Sequence, residues 1–143
     1  MGEGIYPLGF ARTNLGASLT DSPLEAGVGG GLDHLVAFDG EVCAAGVDSN
    51  AARTAGTATF EVLINGVKLV QPTTPATEGS VRPILDATNP QRHGTRIAYG
   101  ARPRYPVKRG DVVSAVVTTD AAWAPTTADV NLDVWLTRGG YEP

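Results

Sequence analysis

Hydrophobic and polar positions alternate with a period of two in several short stretches of this chain. Ala58, Phe60, Val62 and Ile64 alternate with Thr57, Thr59, Glu61 and Leu63. That period puts each set on its own face of a β-strand. Asn65-Gly66 follows, then Val67-Lys68-Leu69, which predicts a hairpin with a type I′ turn, because Asn-Gly accepts positive φ at both central positions. Val130, Leu132, Val134 and Leu136 alternate in the same way with Asn131, Asp133, Trp135 and Thr137. Between these stretches lies a β-rich run, "DVVSAVVTTD" (111–120), and two extended pieces surround Asp39-Gly40. "VRPILDAT" predicts a short strand that Pro83 confines to an edge or an irregular start. "TRIAYGARPRYPV" predicts one or two more. Seven or eight short strands separated by turn clusters, with no helical period, predict an all-β fold. The expected architecture is an antiparallel β-sandwich of jelly-roll-like type.

Residues 1–32 carry no sustained period. They are rich in Gly, with isolated large apolar residues at Ile5, Tyr6, Leu8, Phe10, Leu15 and Leu19. This segment predicts an extended N-terminal arm, with "GVGGGL" (27–32) as the joint to a sandwich domain over 33–143. Laid on a neighbouring subunit, the arm would attach the protein, and removing residues 1–20 would leave a folded body. The tripeptide Arg109-Gly110-Asp111 leads straight into Val112 and Val113. It reads as the turn that starts a strand, with the Asp111 side chain closing the turn, rather than as an adhesion address.

Composition narrows the classes. A chain of 143 residues makes one ordinary domain. Its 18 Gly and 10 Pro suit a turn-rich fold. The single cysteine, Cys43, excludes an internal disulfide, so packing has to hold the fold. No apolar run approaches a membrane span, and "MGEGIYPLGF" lacks the basic and apolar regions of a secretory signal. The expectation is a protein made and used without secretion, with no membrane partner. The net charge of −4 is unevenly spread. Residues 82–109 hold seven basic side chains against Asp86 alone, while the rest of the chain holds four basic and fourteen acidic. Such a window suits an acidic protein surface better than nucleic acid, because the chain as a whole is acidic and aromatic residues are few.

The chemistry-bearing residues do not form a motif. His34 and His93 show no metal-ligand spacing, and Cys43 has no base nominated beside it. The Gly-rich stretch precedes no helix, so it lacks the N-terminus that cradles phosphate. Asp129 and Asp133 flank the last strand without a sequence sign that they converge. No enzyme activity, cofactor or metal is expected. Trp135 falls on the polar face of its strand, and Trp123 lies in a Pro-flanked loop. Exposed Trp is enriched at interface hot spots.

The succession "AGTATFEVLING", "RGDVVSAVVTT" and the closing alternating strand resembles small jelly-roll domains of tailed-bacteriophage virions, in particular the capsid decoration or cementing proteins. The resemblance covers about residues 33–137. It implies an eight-stranded jelly roll that oligomerises on the outside of an icosahedral shell. The partners would be the major capsid protein and other copies of itself, as a homo-dimer or homo-trimer. Its place would be the virion exterior, after synthesis in the host cytoplasm. The candidate contact residues are Ile5, Tyr6, Leu8 and Phe10 of the arm, Arg92, Arg96, Arg102 and Arg104 of the basic window, and Trp123 and Trp135. The alternative is a carbohydrate- or receptor-binding module of a phage fibre, with Trp123, Trp135, Tyr99 and Tyr105 as stacking platforms.

Overall fold

The computed structural model describes residues 4–27, 31–69, 81–96 and 105–138. Twelve strands are present among them. In chain order they are β1 (Ile5–Arg12), β2 (Ser22–Pro23), β3 (Glu25–Ala26), β4 (Asp33–Leu35), β5 (Gly40–Ser49) and β6 (Ala58–Ile64), then β7 (Val67–Lys68), β8 (Ile84–Leu85), β9 (Arg92–Arg96), β10 (Tyr105–Val107), β11 (Val112–Thr119) and β12 (Val130–Arg138). All pairings are antiparallel and build two sheets.

Several short strands share one edge and act as a single interrupted strand. β2 and β4 both lie along the outer side of β11, β7 and β8 along β6, and β9 and β10 along β5. Counted this way there are eight strand positions. The first sheet runs β9/β10–β5–β12–β1, with β3 added at its edge, and the second runs β2/β4–β11–β6–β7/β8. Counted by these positions, the chain changes sheet at every step except from β6 to β7/β8. This is the double Greek key of a jelly roll.

The alternating patterns carry out the burial they imply. Phe60, Val62, Val113, Ala115, Val117, Leu132 and Val134 are all fully buried between the sheets. The β6–β7 turn has φ of 51° at Asn65 and 82° at Gly66, the two positive values a type I′ turn requires. Pro83 precedes the short edge strand β8, and its carbonyl accepts the Phe60 N–H at 2.9 Å.

Two features add to or depart from the expectation. The two extended pieces around Asp39-Gly40 belong to different sheets: β4 pairs with β11 and β5 with β12, so the connection crosses between them. Gly40 is there because a Cβ would overlap the Thr137 carbonyl oxygen, so close backbone approach selects the residue rather than a turn. The second is a departure. The extended segment near the N-terminus lies on its own body, not away from it. β1 pairs with β12 over its full length, from Ile5↔Thr137 to Arg12↔Val130, and supplies the first of the eight strand positions. Phe10, Leu15, Leu24 and Ala26 belong to the same core as the residues beyond 33. The segment after β1 is tied down as well. Leu15 N–H donates to the Ala128 carbonyl at 2.8 Å, and the Thr119 hydroxyl donates to the Gly16 carbonyl at 2.7 Å. No packing boundary falls at residue 32, and half of the proposed joint (28–30) lies outside the described residues.

Candidate functional site

The outer face of the first sheet gathers the site. Leu132 and Val134 of β12 point into the core, so Asn131, Asp133 and Trp135 point outward. Residues paired in register share a face. Gly94, Gly46, Asp133 and Gly9 are successive partners across β9, β5, β12 and β1. A row of three glycines therefore crosses the sheet, interrupted only by the Asp133 carboxylate. One row along lie Arg92, Asp48, Asn131 and Ala11, and one row the other way Arg96, Ala44, Trp135 and Pro7. Neighbouring strands are about 4.8 Å apart, so the glycine row makes a floor about 14 Å long. A concavity of about 470 Å³ lies above Gly46 and Gly94, bordered by Asp48, Arg92, Asn131, Asp133 and Trp135. A second, of about 440 Å³, lies over Gly9 and shares Asp48, Asn131 and Asp133. The glycines are not forced by crowding, since a Cβ on any of the three would meet its nearest neighbour at 3.7–3.8 Å, ordinary contact distance. They keep the groove open.

Several other polar residues are occupied. Asp129 Oδ1 accepts the Asn14 N–H at 2.9 Å, and the Asn50 side chain accepts the Asp129 N–H at 2.9 Å. Asp111 Oδ2 accepts the Lys108 N–H at 2.9 Å, and its other oxygen accepts from the Asn65 amide at 3.1 Å. Lys68 bridges Asp21 at 2.8 Å and Glu61 at 3.3 Å. The side chains of Asp48, Arg92, Asn131, Asp133 and Trp135 make no such bond among the described residues. Partial burial, with the Asp48 charge nearby, holds the Asp133 carboxyl above its ordinary value.

The remaining chemistry is structural. His34 Nε2 donates to the Gly9 carbonyl at 2.6 Å, and its ring stands edge-on to Phe10. His93 Nδ1 accepts the Ile84 N–H at 3.0 Å, which ties β8 of one sheet to β9 of the other. Cys43 is half-buried, its thiol donates to the Trp135 carbonyl at 3.4 Å, and burial pushes its pKa up, away from a reactive thiolate. Asp129 and Asp133 do not converge, because Asp129 is spent on the loop contacts above. Among the described residues no three His, Cys, Asp or Glu side chains gather where a metal ion would sit.

The sequence candidates separate into four groups. Trp135 and Arg92 border the groove. Ile5 and Tyr6 are exposed, at 63% and 37%, on the first half of β1. Leu8 packs partly against the core, and Phe10 is inside it. Trp123 is buried too: its indole N–H donates to the Leu15 carbonyl at 2.9 Å and plugs one end of the sandwich. Tyr105 is likewise a core residue. Arg96 lies on β9, its side chain outside the described residues, where Tyr99, Arg102 and Arg104 also fall. The basic window does not form a single face. Arg82 lies 3.8 Å from Glu61 on the second sheet, whereas Arg92 is on the first. Gly9, Gly46, Gly94, Asp48 and Asn131 escape sequence reasoning, because only strand register brings them together. No family model and no curated protein matches the chain.

Proposed function

We propose that this chain is a structural virion protein of the capsid-decoration type, which binds the outer surface of an icosahedral phage shell and associates with copies of itself. The observation that carries the reading is the edge of β1, half-open among the described residues. β12 pairs with the whole strand on one side, whereas on the other the described chain offers only β3, which covers Phe10 and Ala11. Ile5 and Tyr6 are exposed there, and Tyr6 rests on Phe38 with ring centroids 5.0 Å apart; Leu32, just before β4, and Leu35, at its end, are exposed at 49% and 72%. Exposed apolar residues beside an uncovered strand edge suit a protein partner. Pro7 has no N–H to offer an added strand, so docking would rest on side-chain burial more than on an extended ladder.

This arrangement changes the energetics expected of an arm. A free arm would lose about 1–2 kcal/mol of backbone entropy per residue on docking. β1 is ordered by β12 beforehand, so more of the roughly 1.5–3 kcal/mol from fully burying each large side chain remains for attachment. Many copies on one shell multiply a modest contact.

Particles isolated from the native source should carry the protein in regular array by electron microscopy. The doubly substituted Ile5→Asp, Leu35→Asp chain should fold normally yet stay free of them. Wild-type protein found apart from any particle would overturn the reading.

A further inference from the structure

We infer that the glycine-floored groove on the outer face of the first sheet binds an uncharged oligosaccharide. The inference stands apart from shell attachment, which uses the β1 edge.

Three properties of the groove point to that ligand. First, its shape is made by omission. Gly9, Gly46 and Gly94 sit in register on three different strands, and none is demanded by a steric neighbour. The trough they leave is shallow and about four strands long, the form of a site for a flat, extended chain rather than a small enclosed molecule. Second, its wall supplies an aromatic face. Trp135 stands one row from the floor between Pro7 and Ala44, half-buried, and lines the concavity. The apolar C–H face of a sugar ring packs on such a surface. Third, its polar groups are uncommitted. Asp48, Asn131 and Asp133 present carboxylate and amide groups to the concavity, and no group among the described residues hydrogen-bonds them. Unionised hydroxyls are the natural donors to carboxylates and act as both donor and acceptor for the Asn131 amide. Those same partners would make up for the partial desolvation of Asp133.

Charge selects among sugars. Among the described side chains of the groove two carboxylates, Asp48 and Asp133, face one guanidinium, Arg92, which disfavours a uronate, sialate or phosphate. Trp135 as the platform and Asp133 as the central acceptor place one sugar ring across β12, and Asp48 with Arg92 reaches the next ring towards β9.

The test uses the intact chain on an array of neutral and acidic oligosaccharides, followed by tryptophan fluorescence titration with the neutral glycans retained. The chain holds two tryptophans, and Trp123 is buried and lines neither concavity, so a ligand in the groove changes the Trp135 signal. Trp135→Ala should weaken binding at least tenfold, and Asp133→Ala should do the same. Gly46→Leu should abolish binding by filling the floor while leaving the thermal midpoint within a few degrees, because its Cβ has room. Trp135→Phe should keep measurable affinity but lose the fluorescence change. Binding to no neutral glycan, binding to acidic glycans alone, or binding that survives both Trp135→Ala and Asp133→Ala would overturn the inference.

Discussion

Phe10→Ala separates a strand from an arm. Phe10 is 2% exposed, faces inward beside its register partner Leu132, and meets the His34 ring edge-on at 5.0 Å. Truncation to Ala leaves a cavity in the interior of a jelly roll, a change that costs about 3–5 kcal/mol in well-packed cores. Against a total stability of about 5–15 kcal/mol the effect is large. With a urea slope of about 2 kcal/mol per molar, the unfolding midpoint should fall by about 1.5–2.5 M. Ile5→Ala on the same strand is the internal control. At 63% exposure Ile5 should shift stability by less than about 0.5 kcal/mol. Both variants are measured by far-UV circular dichroism across a urea series. If Phe10→Ala moved the midpoint no more than Ile5→Ala, β1 would not be integral to the fold. The same logic reverses the expectation for removing residues 1–20: the deletion takes away a whole strand with Phe10 and Leu15, and the remainder should not fold cooperatively.

Other outcomes follow from single contacts. Gly40→Ala should destabilise by about 1–3 kcal/mol in chemical denaturation, because the added methyl meets the Thr137 carbonyl and the backbone must shift. Trp123→Phe keeps most of the buried area but leaves the Leu15 carbonyl without its indole donor, a loss of about 1–3 kcal/mol measurable as a lowered thermal midpoint. Asp111 has its pKa lowered, chiefly by the Lys108 N–H and then by the Asn65 amide. A depressed folded-state pKa contributes stability above the unfolded value and loses it as pH falls through the folded one. Asp111→Asn should therefore be less stable than wild type at neutral pH, and the gap should close below the ordinary value of 3.8. Asp133 has the opposite sign. Burial first and Asp48 second raise its pKa, so its contribution is lost as pH rises through the folded value, and Asp133→Asn should be as stable as wild type or more so at neutral pH.

The sandwich was legible in the sequence wherever a strand buries one face only. β6, β11 and β12 have a core on one side and solvent on the other, so their side chains alternate and the pattern survives in one dimension. β1 lacks that signature because its first three residues are exposed whichever way they point, and Gly9 and Ala11 fill its outward positions without adding polarity. Its strand character comes from β12, distant in sequence. The RGD turn was legible for a local reason: Asp111 closes on Lys108, three residues away, and Gly110 supplies the φ of 97°. The groove was mostly hidden. Trp135 stood out as an aromatic on a polar face, but its companions are glycines, each unremarked in its own strand, and only register shows that they share a row.

β12 sits at the middle of its sheet, between β5 and β1, yet it is the last strand of the chain described. The first strand therefore waits for the last. During synthesis, β1 and β5 emerge with no partner between them, and the sheet cannot form until Val130–Arg138 has left the ribosome. Pairing Ile5 with Thr137 closes a very long loop, which places folding among the slow, non-local kind. A nascent chain stopped before Val130 would present the apolar side chains of β1 and β5 together, a target for chaperones and for aggregation that the finished protein conceals.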